Sequence, residues 1–461
     1  MRALSTTATV LAVLLAAAPV AHANGRPAGV STLNFRQGHP QDIVAGLTFG
    51  MVVSHDGGAT WQWMCEKAVG YAGLYDPDYK YSSSSAIFAT TFNGLTVNRN
   101  ACTFDATPPG TTFVSRIALG PDGALYYAAA DPADAKIYKS TDDGITFPQS
   151  ASPGINDDYW ESLVVAPSNA SRIYLTGYRF VKQCSAASSN PGATCSVPTD
   201  CPGGSCDNTK AFLLFTSADG GATFTPMVKT GITTSPNSSI DIVGVSPTDP
   251  KVVYAISTVV NGTLGDALYK STDAGATWTQ LLTEMDTLHF VARANGTCVV
   301  ATQTLGAFSS AACDTTWTPL TSPPHINCLA EDTNGTIWAC TQNYGQMGGI
   351  PSDGFGIMKT SDLATWSGAL RFQDIQGPVQ CAAGTVQQDQ CVAMTWCSLE
   401  TQLGITSTVV DCAAPAETIK VPTTKAGGCC EAGGGEGAVL GGFGGLALLG
   451  VGRLRRRRAR A

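Results

Sequence analysis

The sequence predicts an all-β fold, a β-propeller built from four-stranded antiparallel blades, with seven blades favoured and eight still open. Three observations predict this fold. An eight-residue motif with the pattern Ser-x-Asp-x-Gly-x-Thr-(Trp/Phe) recurs along the chain. Strand-like runs flank each copy of the motif. The copies are spaced mostly 40–50 residues apart, which is the length that one four-stranded blade needs.

The recurring motif, called the box below, is complete four times. Its constrained positions are Ser54, Asp56, Gly58 and Trp61; Ser140, Asp142, Gly144 and Phe147; Ser217, Asp219, Gly221 and Phe224; and Ser271, Asp273, Gly275 and Trp278. Ser and Asp side chains bond backbone amides in tight turns, and Gly takes conformations that a Cβ atom opposes. We therefore expect each box to be a structural turn. A calcium loop is the alternative, but each turn has too few acidic residues for six or more oxygen ligands.

Degenerate copies of the box and hairpins complete the repeat. The degenerate copies are residues 97–104, 310–317 and 360–366, so the seven boxes begin at 54, 97, 140, 217, 271, 310 and 360. Hairpin patterns with polar turns precede most boxes and supply two further strands per blade. After the last box, residues 378–412 either form an eighth blade or close the ring.

The box resembles the Asp box, or BNR repeat, of the sialidase-like β-propeller superfamily. This resemblance implies that the box lies between the third and fourth strands of a blade. The catalytic residues of sialidases do not carry over, because no Arg-Ile-Pro motif is present and only Arg36-Gln-Gly-His-Pro40 stands ahead of the first box. No Tyr–Glu nucleophile pair can be placed, and a fold does not imply a function.

Both ends of the chain indicate export. Residues 1–23 combine Arg2, an apolar run and a small-x-small cleavage site, which predicts a signal peptide. We expect the propeller to span 24–412 and a linker to span 413–428. The tail, 429–461, contains Cys429 and Cys430, a short Gly-rich apolar stretch and an Arg cluster.

This tail resembles the MYXO-CTERM sorting signal of myxobacteria and their relatives. The resemblance implies processing near the two cysteines and display on the surface of a Gram-negative cell, secreted or associated with the outer membrane. The membrane would then be contacted only through the tail, before or after processing.

The composition of residues 24–428 restricts the partners. These residues contain 20 Lys and Arg against 33 Asp and Glu, a net charge of −13. Such a charge argues against nucleic acid as a partner. No metal site or cofactor is expected, because the 14 cysteines of an exported chain are better explained as disulfides.

The spacing of the cysteines suggests pairings. Cys328 with Cys340, and Cys381 with Cys391, flank turns at near-equal distances and should face each other in hairpins. Cys65 and Cys102 are expected to close adjacent strand ends. Residues 182–210 form an insertion with four further cysteines, for which two local disulfides are expected and a zinc site is the alternative.

Long loops carry the candidate binding site. In a propeller, the connections between blades and those between second and third strands emerge opposite the boxes. Two such loops are rich in aromatic and acidic residues. The candidates for ligand binding are Tyr75, Asp76, Asp78, Asp157, Asp158, Tyr159, Trp160 and Glu161. An equal alternative is that the aromatic side chains plug the channel or cover blade ends.

The sequence thus favours a surface-displayed binding or structural module for a glycan or protein ligand. A glycoside hydrolase, sialidase-like or with paired carboxylates among the loop acids, is the alternative. No catalytic residue is assigned.

Overall fold

The computed structural model describes residues 22–412, apart from 24–25, 74, 109, 111, 235–237, 261–263, 285, 347–348 and 407–408. The expected signal peptide apart from its last two residues, the linker 413–428 and the tail 429–461 with its two cysteines lie outside the described residues. Among the residues that are described, no helix is long and apolar enough to span a bilayer.

Seven four-stranded antiparallel units follow one another along the chain, each made of four consecutive strands, as the sequence predicts. A strand pair, β1 (His22–Ala23) and β2 (Arg26–Pro27), precedes them. Blade 1 contains β3 (Val30–Arg36), β4 (His39–Leu47), β5 (Gly50–Ser54) and β6 (Gln62–Met64). Blade 2 contains β7 (Tyr79–Tyr81), β8 (Ile87–Thr91), β9 (Gly94–Asn98) and β10 (Phe104–Ala106). Blade 3 contains β11 (Val114–Leu119), β12 (Leu125–Ala129), β13 (Ile137–Ser140) and β14 (Gln149–Ala151).

The remaining four blades repeat this order. Blade 4 contains β15 (Tyr159–Ala166), β16 (Asn169–Cys184), β17 (Cys206–Ser217) and β18 (Thr225–Pro226). Blade 5 contains β19 (Ile240–Val245), β20 (Val253–Val260), β21 (Leu264–Ser271) and β22 (Thr279–Glu284). Blade 6 contains β23 (His289–Ala292), β24 (Cys298–Ala301), β25 (Ala307–Ser310) and β26 (Thr318–Pro319). Blade 7 contains β27 (Cys328–Glu331), β28 (Ile337–Cys340), β29 (Ile357–Thr360) and β30 (Ser367–Leu370).

The first strands of the blades form a closed ring. Each contacts the first strand of the next blade, and β27 returns to contact β3. The middle strands are covered on both faces by neighbouring blades, so β8 and β12 are buried along their whole length. This is why those strands read as continuous apolar runs, whereas the first strands carry charged residues beside the central channel.

Each complete box is the turn between the third and fourth strands of its blade. In the first box, the Ser54 hydroxyl accepts the amide of Gly58 at 2.9 Å and donates to Asp56 at 2.8 Å. The Asp56 carboxylate accepts both the amide of Thr60 at 2.9 Å and its hydroxyl at 2.6 Å. The other three complete boxes repeat these four hydrogen bonds. Gly58 has a φ of 84°, and a Cβ there would meet the Trp338 ring of blade 7.

The segment after blade 7 closes the ring rather than forming an eighth blade. Strand β31 (Gly377–Pro378) pairs in parallel with β6, the outer strand of blade 1. It is followed by a π-helical segment, Gln387–Trp396, and helix α2, Cys397–Leu403. We call 377–403 the C-terminal clasp. Three shorter helices lie elsewhere: α1 (Glu66–Val69) and the 3₁₀ turns Pro198–Asp200 and Phe372–Asp374.

Two of the expected disulfide pairings are wrong. The structure bonds Cys65 to Cys391 and Cys102 to Cys381. The expected hairpin between Cys381 and Cys391 does not form, because residues 387–396 are helical. Cys391 is fully buried and reaches blade 1 instead. The helical geometry therefore ties the clasp to the first two blades.

The other five disulfides are local. Cys328 and Cys340 are directly opposed in the β27–β28 ladder and are bonded, as the sequence predicts. The four cysteines of the insertion form two bonds with each other at the tip of the long β16–β17 hairpin, so their sulfur atoms are not available together for zinc. The remaining local bonds are Cys184–Cys201, Cys195–Cys206, Cys298–Cys313 and Cys397–Cys412.

Candidate functional site

A cluster of charged side chains lies where the first strands of blades 3, 4 and 5 begin. Arg116, Glu161 and Asp241 each stand near the start of their strand. The Arg116 guanidinium donates to the backbone carbonyl of Glu161 and, at 2.7 Å, to that of Ser115. Nζ of Lys210, on β17, lies 3.8 Å from Glu161 Oε1. We call Arg116, Glu161, Asp241 and Lys210 the charged cluster.

A β-bulge positions Glu161. In the β15–β16 ladder, Trp160 pairs with Gly177 and Ser162 with Thr176, so Glu161 has no partner across the ladder. A bulge re-aims the side chain of the extra residue and is common beside functional sites. The Glu161 side chain points to Lys210, and only 6% of the residue is exposed.

The electrostatic setting of Glu161 favours the neutral acid. Burial, followed by the charge of Asp241, raises the pKa of Glu161, while Lys210, Arg116 and the backbone amide of Ile240 lower it. The balance places its pKa at about 8 instead of 4.5. Oε2 of Glu161 is buried and has no hydrogen-bond partner among the described residues. The raised pKa therefore favours a protonated carboxyl, which can donate a hydrogen bond.

A continuous row of aromatic side chains runs beside the charged cluster. Neighbouring rings along the row have centroids 4.6–6.4 Å apart. We call this set the aromatic row, and its members in spatial order are Tyr71, Tyr75, Phe92, Phe113, Tyr159, Tyr178 and Phe180. Phe92 is 51% exposed and Phe180 is 49% exposed, although large apolar side chains gain free energy from burial.

The aromatic row lies on the face opposite the boxes. Tyr75 and Phe113 are in blade-to-blade connections, and Phe92 is in the turn between β8 and β9. Tyr159 begins β15, and the last two rings stand on the part of β16 that leads to the insertion. Loops on a rigid scaffold commonly carry binding residues. The row therefore spans blades 2 to 4 on the loop face.

Ion pairs neutralise the charges around this surface. Every acid that the sequence analysis singled out here, except Asp157, has a basic partner within 4 Å. The ion pairs are Arg26–Asp76 at 2.9 Å, Lys80–Asp78 at 3.1 Å and Arg179–Asp158 at 2.5 Å, whereas Lys210 Nζ lies 3.8 Å from Glu161, whose raised pKa favours the uncharged acid. The loop face thus offers aromatic surface and local polar groups rather than one dominant charge.

The structure brings some of the sequence candidates together and separates others. Tyr75 and Tyr159 belong to the aromatic row, and Glu161 belongs to the charged cluster. Asp157 is exposed at a left-handed backbone position with φ of 77°. Asp76 and Asp78 lie at the edge of the row and hold their ion pairs.

Two candidates, Trp160 and Asp158, are interior residues in this structure, and their contact with a ligand stays a prediction. Trp160 is fully buried, donates from Nε1 to the carbonyl of Ala135 at 2.9 Å and packs edge-on against Phe215. The Asp158 side chain is also fully buried, with its carboxylate held by Arg179 and the Ile155 amide. Both residues lie at the beginning of β15 with their side chains inside the blade. Sequence alone did not reveal this burial.

The sequence analysis missed several residues of the site. They are Arg116, Asp241, Lys210, Phe92, Phe113, Tyr178 and Phe180. A usable signal was present, because blades 3, 4 and 5 each place one charged residue near the start of an otherwise mostly apolar first strand. Comparing first strands between blades, instead of boxes alone, would have selected Arg116, Glu161 and Asp241.

A second opening lies at the other end of the first strands. A cavity of about 290 Å³ is lined by Asn34, Gln37, Lys80, Leu119 and Val165, among others. Lys80 is its one charged lining residue and is already paired with Asp78. This cavity has less to offer a ligand chemically than the loop face.

Comparison with known proteins finds distant structural likeness. No family model matches the chain, and no curated protein matches it. An ancestral GH74 enzyme is 14% identical, with a TM-score of 0.47 over 70% of this chain and 44% of that one. The extracellular domain of the one-component system BT4673 from B. thetaiotaomicron is 14% identical, with a TM-score of 0.43 over 68% and 37%. YCF48 from Cyanidioschyzon merolae is 12% identical, with a TM-score of 0.43 over 68% and 92%. The chain spans less than half of the first two proteins.

Proposed function

We propose that this protein is an exported, surface-displayed propeller that binds a neutral glycan chain along the aromatic row, beside the charged cluster. The observation that carries the proposal is the unbroken row of seven rings, with Phe92 and Phe180 exposed. The ligand would lie across blades 2 to 4 on the loop face.

The chemistry of the surface fits a sugar chain. Binding sites combine apolar and aromatic walls with a few polar groups that orient the ligand. Phenylalanine rings offer flat apolar faces to sugar rings, and tyrosines add a hydroxyl group. The Tyr159 ring connects the two kinds of surface, since it packs at a tilt against Phe113 and Tyr178, and the positive charge of Arg116 acts to lower the pKa of its phenol.

The paired charges favour a neutral ligand. An anionic or cationic chain would have to compete for side chains that already hold ion pairs, such as Arg179 and Asp158. A neutral polyhydroxylated chain needs no such exchange. A protein ligand remains an outcome of the test below.

Display on the cell surface is supported from three directions. Residues 1–23 have the pattern of a signal peptide. Seven disulfides suit an oxidising compartment. The tail 429–461 carries the three parts of a MYXO-CTERM-like sorting signal.

The box turns fit membership of the Asp-box propellers.

Hydrolysis of the bound glycan is a second candidate. Glycoside hydrolases use one carboxyl with a raised pKa as the acid and a second carboxylate as base or nucleophile. Glu161, whose pKa is raised to about 8, stands beside Asp241 and is the observation that favours this activity.

A panel of defined oligosaccharides tests the proposal. Purified protein is titrated calorimetrically with neutral hexaoses of glucose, xylose, mannose and N-acetylglucosamine, with polygalacturonate and heparin as charged alternatives. We expect at least one neutral hexaose to bind, and a Phe92→Ala/Phe180→Ala variant to lose at least about tenfold in affinity, equivalent to about 1.4 kcal/mol. Ile145→Ala is the matched control, because Ile145 is 62% exposed but lies in a box turn.

The outcomes separate the alternatives. Release of reducing ends from a bound hexaose would favour hydrolysis. Binding of only the charged polymers, or binding of no glycan at all, would overturn the proposal and leave a protein ligand as the alternative.

A further inference from the structure

Glu161 has a buried oxygen that the fold does not satisfy. Most buried polar atoms in proteins have a hydrogen-bond partner, and each exception calls for an explanation. Glu161 Oε2 is one of these exceptions. It belongs to a residue that is only 6% exposed. The β-bulge at this residue frees it from the strand ladder near the start of β15.

The groups around Glu161 come from every neighbouring element. Arg116 faces it from β11, Lys210 from β17, and Asp241 with the Ile240 amide from β19. On its own side of the blade, Tyr159 and Tyr178 are the titratable neighbours. Two cations and one carboxylate therefore surround the carboxyl.

Among the described residues, none of these groups accepts a hydrogen bond from Glu161 Oε2. Lys210 is 3.8 Å away, beyond hydrogen-bond distance, and its Nζ donates to the Ser238 carbonyl at 3.2 Å and lies 4.1 Å from the centre of the Tyr178 ring. The guanidinium of Arg116 donates to backbone carbonyls. A neutral carboxyl in this position still needs an acceptor oxygen, which a glycan can supply.

We infer that the neutral Glu161 carboxyl, presented at the bulge among Arg116, Lys210 and Asp241, donates a hydrogen bond to an oxygen of the bound glycan and makes binding depend on its proton. This inference rests on the proposed function and adds the residue that governs specificity. The bound group is an uncharged acceptor, such as a hydroxyl, ring or glycosidic oxygen.

The sign of the pH effect follows from the direction of the shift. Burial and Asp241 raise the pKa of Glu161 to about 8, so the binding-competent neutral acid predominates at pH 6.5 and is scarce at pH 9.5. Affinity scales with the competent fraction, so it should fall about 30-fold over this interval. Burial also raises the pKa of Tyr159 and that of Tyr178, which moves both phenols away from this range.

The test compares wild type with Glu161→Gln, using cellohexaose as the probe, together with any hexaose that binds more tightly in the panel. Gln has the same shape and keeps an N–H donor at every pH. We expect wild type to lose about 30-fold in affinity from pH 6.5 to 9.5 and Glu161→Gln to vary less than threefold. Asp105→Asn, an exposed site on the outer strand of blade 2, should follow wild type.

A second readout needs no ligand. The folded state keeps its proton on Glu161 up to about pH 8, whereas an ordinary glutamic acid ionises near 4.5. Unfolding therefore releases a proton between these values, and wild type should lose stability relative to Glu161→Gln as pH rises from 4.5 to 8, with a constant difference above 8. A melting-temperature difference that stays flat with pH would overturn the inference.

The two proposals fail in different ways. If cellohexaose and the other hexaoses bind neither protein, the proposed function fails and this inference falls with it. If a hexaose binds wild type with the same affinity at pH 6.5 and 9.5, or Glu161→Gln abolishes binding at pH 6.5 while remaining folded, only the inference about Glu161 is overturned.

Discussion

Cys65 and Cys391 are bonded to each other although 326 residues separate them in the chain. Cys65 directly follows the outer strand of blade 1, and Cys391 lies in the π-helical part of the C-terminal clasp. Trp63 and Trp396 pack beside the bond with ring centroids 5.5 Å apart. Since blade 1 takes all four of its antiparallel strands from one stretch of chain, the clasp adds a disulfide-bonded connection to the direct contact between β27 and β3.

Loss of the clasp disulfides should destabilise the propeller more than loss of a local bond. A variant with Ser at Cys65, Cys391, Cys102 and Cys381 removes both clasp bonds and opens a loop of 326 residues, whereas Ser at Cys184, Cys201, Cys195 and Cys206 opens loops of 17 and 11 residues. In the chain-entropy account, the stabilisation is about 3 kcal/mol for short loops and about 5 kcal/mol for long ones. Thermal melts of both variants check this ordering. Equal losses, or a larger loss in the insertion variant, would contradict it.

Box serines should matter for stability and not for binding. Ser54→Ala leaves the buried amide of Gly58 without its acceptor, which costs about 1–3 kcal/mol. Denaturant unfolding measures this loss, and Ser246→Ala, in an exposed turn between β19 and β20, serves as the control. A normal unfolding midpoint combined with lost hexaose binding would show that the boxes, and not the loop face, form the site.

Acid should unfold the protein partly through its boxes. The hydroxyl of Ser140, with the hydroxyl and amide of Thr146, lowers the pKa of Asp142 to about 2. The equivalent bonds lower the pKa of Asp219 and that of Asp273 to about 2. A carboxylate with a depressed folded pKa stabilises the fold above its unfolded pKa of 3.8, and this contribution disappears as pH falls towards 2.

The measurement is the melting temperature between pH 6 and pH 2. We expect a decline that starts near pH 4 and is shallower in a variant with Asn at these three Asp positions, since Asn cannot be protonated in this range. An identical decline in both proteins would rule out the boxes as a source of acid sensitivity.

Export should leave marks at both ends of the mature chain. We expect protein from its native host to begin near Asn24 and to end near Cys429–Cys430, without the Arg cluster. Mass spectrometry of surface-released protein measures both ends. Mature material that retains Arg455 to Arg458 would refute the sorting role of the tail.

Local repeats explain why the blades could be predicted from the sequence. The box from Ser271 to Trp278 contains its own turn-forming hydrogen bonds. Its turn can therefore be predicted from eight consecutive residues. The Cys328–Cys340 hairpin is local in the same sense. Each feature depends on contacts within a single blade.

Features that depend on closure of the ring could not be predicted from the sequence. Cys65 and Cys391 are 326 residues apart in the chain and are brought together across the closed ring, and the pairing of Cys65 with Cys102 suggested by sequence order was wrong. Arg116, Glu161 and Asp241 come from three blades and are brought together by the ring of first strands. Trp160 and Glu161 are adjacent in sequence, yet the first is core and the second lines the cluster, because a bulge separates their environments.

The structure of the protein with a bound neutral hexaose, soaked or co-crystallised at pH 6.5, tests the central claim most directly. Our account predicts sugar rings stacked on Phe92 and Phe180, with one sugar oxygen within hydrogen-bond distance of Glu161 Oε2. A hexaose bound in the cavity lined by Asn34 and Val165, or along the box turns, would contradict the assignment of the loop face as the binding site.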